Sequence, residues 1–170
     1  ALGSIYHRRR EWKPAFHYWK KTVALDANDR EAWWHLGLAA VGLGRMRVAA
    51  TVWSKFGFDK TGFSQPLSLE VKRANGYEIL WMQPLDAGRG RILSIPHPRS
   101  NLRYRDLMLY NRRQQTGSNV INNRRVAVYA SMDRLNTSDA ADAPLRVYLR
   151  GRAATTQNTY HTPPTTSATY

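Results

Sequence analysis

A chain of 170 residues, 42% of them hydrophobic, can bury the core of one medium domain or two small ones, and no run approaches the length of apolar sequence that a membrane-spanning helix needs. The absence of cysteine excludes a disulfide framework, a thiol nucleophile and a thiolate metal site. The formal charge of +14 falls as +6 over residues 1–63, +7 over 64–135 and +1 over the remainder, and such a field attracts nucleic acid, acidic lipid or an acidic protein without telling them apart.

The opening ALGSIYHRRREW places its apolar residues ahead of its basic ones, the reverse of the order in a signal peptide. Further on, Asp29 precedes REAWWHLGLAAVGL. A helix capped there is predicted to run to about Leu43, with Gly44 as its C-terminal breaker, and a second helix to span about Met46 to Phe56. The joint is short, so the two form an antiparallel helical hairpin.

Sliding the sequence by 34 residues aligns Leu2 with Leu36, Gly3 with Gly37, Trp12 with Met46, Ala15 with Ala49 and Trp19 with Trp53. Small residues meet small and large meet large, so residues before Asp29 are predicted to form an earlier copy of the same hairpin. Gly and Ala mark where paired helices approach closely, and the two tryptophans fill the space between successive hairpins. Leu2 already sits mid-helix by this alignment, so either the first helix is shortened or further repeats precede it.

On Trp33, Leu36, Gly37, Ala49 and Trp53, and on the junction LDANDREAW, residues 1–60 resemble the tetratricopeptide repeat family. The pattern departs from that family at Ala40, where an aromatic is common, at Thr22 and Phe56 in place of a small residue, and at Ala27 in place of proline. The resemblance implies stacked helical hairpins acting as a protein-binding scaffold. It also implies an inner face presenting Ser4, His7 and Arg8 from the first unit and Glu31, Trp34, Leu38 and Val41 from the second. His7, Arg8, Glu31, Trp34, Leu38 and Val41 are therefore the candidate partner groove. Trp33 is expected in the core; Trp34 is expected either to meet a ligand or to pack under another segment of the chain, because a short solenoid needs its last helix covered.

After FGFDKTGFSQP the period changes from helical to two. LSLEVKRANGYEILWM is predicted to be a hairpin about an Asn75-Gly76 turn, pairing Arg73 with Glu78, Val71 with Leu80 and Leu69 with Met82. Both faces carry apolar residues, so the helical unit is expected to cover one of them, with Trp81 docking there. DAGRGR reads as a turn. Further strands are predicted at Arg91–Ile95, Leu107–Tyr110, Arg125–Ser131 and Leu145–Leu149, with NRRQQTGSNVINNRR and NTSDAADAP as loops. The chain is thus expected to be α+β: helical hairpins over 1–60, a small antiparallel β sandwich or open barrel over 61–152, and an extended tail over 153–170. ILSIPHPRSNLRYRDLMLYN matches no chemical motif.

The five histidines are scattered, LGLAAVGLG lacks the Lys-Ser/Thr ending of a phosphate loop, and no local carboxylate pair suits acid–base chemistry. No enzyme activity, cofactor or metal is expected. Arginine outnumbers lysine, and Arg99, Arg103, Arg105, Arg112, Arg113, Arg124 and Arg125, with Tyr104 among them, are candidate polyanion contacts. The reading is a non-enzymatic scaffold or subunit of a larger complex; the alternative is an RNA- or other nucleic-acid-associated protein using its arginine-rich surfaces. Acidic lipid remains open as a target of the same charge, and sequence does not specify a compartment.

Overall fold

Four helices precede five strands in the computed structural model, which describes residues 2–58, 63–121 and 123–135. The helices are α1 (Leu2–Arg8), α2 (Trp12–Leu25), α3 (Arg30–Gly42) and α4 (Met46–Lys55); the strands are β1 (Leu67–Arg73), β2 (Gly76–Pro84), β3 (Arg89–Ile92), β4 (Leu107–Ile121) and β5 (Arg124–Leu135). The architecture is α+β, as expected. The strand expected at Leu145–Leu149 and the tail over 153–170 lie outside the described residues. Among the described residues no helix is long and apolar enough to cross a membrane.

α3 begins where its sequence provides a cap: the Asp29 carboxylate accepts from Ala32 N at 2.9 Å, satisfying one of the helix's free N–H groups. It ends with Gly44 at φ 73°, where Gly44 N donates to Val41 O and Arg45 N to Ala40 O. These two bonds close the helix by a Schellman turn. Thirty-four positions earlier the same turn joins α1 to α2. Arg10 takes φ 60°, its N–H donates to His7 O, and Glu11 N donates to Tyr6 O.

The equivalence extends to packing. A Cβ on Gly3 would come 2.7 Å from the Trp19 indole, and one on Gly37 would collide with the Trp53 indole. Each hairpin therefore closes by laying a tryptophan of its second helix over a glycine of its first. The 34-residue repeat is thus one of turn and contact as well as residue size.

The strands follow an up-and-down order, with β1–β2, β2–β3, β3–β4 and β4–β5 all antiparallel. With an odd number of alternating strands the first and last run the same way, so the barrel closes through a parallel pairing of Ser68, Leu69 and Glu70 with Val128, Tyr129 and Ala130. Sandwich and open barrel were the expected forms; this parallel pairing closes the barrel and makes the sheet mixed.

The β1–β2 hairpin forms with its pairing shifted by two from that predicted. Arg73 faces Gly76, Val71 faces Glu78 and Leu69 faces Leu80, because the two linking residues are Ala74 and Asn75, while Gly76 opens β2 at φ 120°. The side-chain faces survive, since a shift of two preserves alternation. Arg73 and Glu78, predicted to be opposite, meet diagonally at 3.9 Å.

β3 starts and stops earlier than Arg91–Ile95. NRRQQTGSNVINNRR is not a loop: it supplies the outer half of β4 and the start of β5, with its described residues from Arg113 to Val120 exposed. A strand with solvent on both sides has no apolar alternation to reveal it.

Two cores meet at β4. Leu69, Val71, Leu80, Met82, Ile92, Met108 and Tyr110 fill the barrel. Leu107 and Leu109, with Leu135 of β5 and Ala87 of the β2–β3 turn, join the core of the helices. DLMLYN is therefore a two-sided strand, its alternate residues facing barrel and helices. Contrary to expectation, among the described residues Trp81 and its neighbours on the outer face of β1–β2 do not join the core of the helical unit. On that face Trp81 is half-buried, Tyr77 and Ile79 are exposed, Ser68 is buried and Gln83 Nε2 donates to Phe63 O, while β4 and the turn at Asp86–Gly88 take the helices. In this turn buried Asp86 accepts from Gly88 N and Arg89 N and pairs with Arg89 Nε at 2.6 Å.

Candidate functional site

Of the residues expected to line a groove, Trp34, Leu38 and Val41 are covered by the chain's own barrel. Trp34 is 3% exposed, Leu38 and Val41 are fully buried, and all three share a core with Leu107 and Leu109. The Trp34 indole donates to Asn111 Oδ1 at 2.9 Å. Of the two adjacent tryptophans it is thus Trp34 that lies in the core. Trp33 is half-buried at the edge: its Nε1 donates to Ala27 O, its ring lies 5.8 Å from Phe56, and Lys55 Nζ sits 4.2 Å above it.

His7 is also buried, and neither ring nitrogen has a hydrogen-bond partner among the described residues. Its ring lies 5.0 Å from that of His35, which stacks on Trp19 at 4.8 Å. Burial, then the nearby His35, lowers the His7 pKa to about 4. Burial lowers that of His35 too, against the opposing pull of Glu31. Arg8 and Glu31 remain exposed.

The candidate polyanion contacts fall in three places. Arg99, Arg103 and Arg105 are exposed on the segment between β3 and β4. Arg124 and Arg125 pair with Ile121 and Val120 at the far end of the β4–β5 ribbon, roughly 25 Å from Arg113 at the rise of a strand. Arg112 and Arg113 stand at the seam between barrel and helices.

What places them there is an irregularity in β4. Tyr110 pairs with Ser131 and Gln115 with Tyr129, so Asn111–Gln114 form an excess in the ladder. A bulge of this kind bends a strand and redirects its side chains. Asn111 anchors it, its Oδ1 accepting from both Trp34 Nε1 and Arg113 N.

The result is a cleft of about 360 Å³ lined by Arg30, Arg112, Arg113, Trp34, Phe56 and Phe58. Phe58 meets Trp34 edge-on at 5.2 Å and stacks with Phe56 at 5.8 Å. The Arg30 guanidinium lies 5.2 Å over Phe56 and 5.1 Å over Phe58, and that of Arg113 lies 5.6 Å over Phe58. Arg30 Nη2 also donates to Phe56 O. Glu31 links the cleft to the histidine pair: Oε2 meets Arg113 Nη1 at 2.9 Å and Oε1 meets His35 Nε2 at 3.0 Å.

No family model, curated protein or solved structure matches this chain. The site's chemistry therefore rests on its own residues. Among the described residues no group of three or more His, Asp or Glu is placed to hold a metal ion. The cleft offers cationic donors over aromatic rings, an arrangement that holds anions.

Arg30, Phe56 and Phe58 were missed as site residues. Phe56 carried a signal, standing where the repeat pattern calls for a small residue, and FGF follows directly on a helix end. Nothing local to Arg30 distinguishes it from any other exposed residue of a helix's first turn.

Proposed function

We propose that the chain is a non-enzymatic interaction module, a subunit of a larger assembly that engages an acidic protein partner through its basic surface, centred on the cleft at the helix–barrel seam. The observation that carries this reading is the bulge at Asn111–Gln114. It fastens the barrel over the inner helical face and sets Arg112 and Arg113 beside Arg30. The tetratricopeptide-like pattern supports a scaffold role, modified in one respect: the inner face serves to mount the barrel, and recognition moves to its rim.

The test is purification of the native assembly followed by mass spectrometry, with and without nuclease. A protein that co-purifies stoichiometrically and survives nuclease supports the reading. Loss of every partner on nuclease treatment overturns it.

A second reading, nucleic-acid association, is favoured by the exposed β4–β5 ribbon, whose end carries the Arg124–Arg125 pair. It requires retention of RNA at low salt, steep loss with added salt, and similar weakening of all sequences by Arg124→Glu with Arg125→Glu.

A further inference from the structure

The seam cleft carries information about the group it takes. Its rings already hold cations over them, Phe58 with Arg30 and Arg113, Phe56 with Arg30 and Lys55 at 5.6 Å. A nucleobase stacks on an available ring face, whereas here those faces orient guanidiniums. Arg30 and Arg113 each have one described hydrogen-bonded or ion-paired contact, to Phe56 O and to Glu31, out of five N–H donors in a planar fork. That fork matches a carboxylate.

One carboxylate is there already. Glu31 holds Arg113 at 2.9 Å, with the side chains 58% and 44% exposed. An ion pair so open to water is weak, worth at most about 1 kcal/mol. It is placed where an incoming acid would compete for the same guanidinium.

We propose that the cleft binds an acidic peptide segment of the partner, its carboxylates on Arg30 and Arg113 and an apolar side chain against the ring edges of Phe56 and Phe58, with Glu31 as the internal competitor that the segment displaces from Arg113. This rests on the reading of the chain as a protein-binding module. Charge complementarity selects the occupant: a chain of net charge +14 disfavours a second copy of itself and favours an acidic segment. The cleft is near the lower end of the size range for ligand pockets, which suits one apolar side chain flanked by acids.

The experiment is fluorescence anisotropy of the intact chain with a labelled peptide of glutamates around a central leucine, and with its all-glutamine counterpart. Arg30→Glu and Arg113→Glu each weaken glutamate-peptide binding about tenfold or more, corresponding to about 1.4 kcal/mol or more. Lys20→Glu, an equal charge change at an exposed position of α2 outside the cleft, weakens it far less. Glu31→Gln, which keeps a hydrogen-bonding side chain beside His35, strengthens it severalfold. Circular dichroism checks that each variant folds.

Equal losses from Lys20→Glu and Arg113→Glu would overturn the cleft, and unchanged or weaker binding by Glu31→Gln would overturn the competitor. Tighter binding of an unstructured oligonucleotide, lost on Arg30→Glu, would assign the cleft to nucleic acid and overturn the proposal. If the native partner still co-purifies with the Arg30→Glu, Arg113→Glu double variant, the interaction-module reading stands and the cleft assignment fails. If the peptide arms succeed but no protein co-purifies with the native chain, the module reading fails.

Discussion

The Trp34 indole and the Asn111 amide meet at 2.9 Å, and this hydrogen bond, with that of Trp12 Nε1 to Asp133 Oδ2 and the Glu31–Arg113 ion pair, ties the helical unit to the barrel. The Trp34–Asn111 bond is buried and joins residues far apart in sequence. Asn111→Leu removes the acceptor and leaves Trp34 Nε1 without its partner, so it is expected to cost about 1–3 kcal/mol. Arg113 N loses an acceptor too, which loosens the bulge. Denaturant unfolding measures the first effect; weaker acidic-peptide binding at unchanged secondary structure measures the second. A stability indistinguishable from wild type would show that Asn111 does not hold the seam.

The contacts of Gly3 with Trp19 and Gly37 with Trp53 rank two substitutions. Gly37→Ala places a methyl within the Trp53 indole, in a core that also holds Trp34 and Leu38, and is expected to cost about 1–3 kcal/mol or more. Gly3→Ala makes a looser clash at the short first helix and is expected to cost less. Thermal unfolding of the two variants checks the order. If Gly3→Ala proved the more damaging, the central hairpin would not be the tighter of the two.

Arg10 adopts the left-handed conformation that Gly44 adopts in the second unit. A side chain there costs about 1–2 kcal/mol, while glycine loses more freedom on folding. Arg10→Gly is therefore expected to stabilise the protein by about 0.5–1 kcal/mol. A decrease in melting temperature would mean that the Arg10 side chain supplies something its backbone geometry does not.

Acid should weaken the helical core through His7. With a folded pKa of about 4 against 6.5 in the unfolded chain, the unfolded state binds the proton first as pH falls. The stabilisation is complete above pH 6.5 and is lost progressively down to about pH 4, by roughly 3 kcal/mol across that window. The lowered pKa of His35 acts in the same direction. Urea unfolding at several pH values should show His7→Leu with a shallower loss than wild type. Parallel slopes would remove His7 from the account.

Features set by local chemistry were legible in the sequence. Asp29 before an apolar run, Gly44 after it, and the paired Gly and Trp positions located α3, α4 and the earlier hairpin, because caps, breakers and close contacts each demand a residue type. The β1–β2 hairpin was legible in its faces but not in its pairing: alternation is unchanged by a shift of two, and Gly76 served to open β2 rather than to make the turn. The outer half of β4 was hidden because exposed strands and loops share a polar composition.

Trp33 and Trp34 were separable only by knowing what covers α3. The cleft was out of reach for the same reason: Arg30, Phe58 and Arg113 come from three segments, and only the docking of β4 brings them together.

The interruption of β4 at Asn111–Gln114 also divides labour along a single strand. Up to Tyr110 its residues answer to two cores, and past Gly117 the described ones answer only to their partners across the ribbon. Changes in length or composition past Gly117 therefore leave the interior pairings intact. The outer ribbon is an interchangeable finger on a fixed palm, and exchanging it should alter what the molecule touches without altering how it stands.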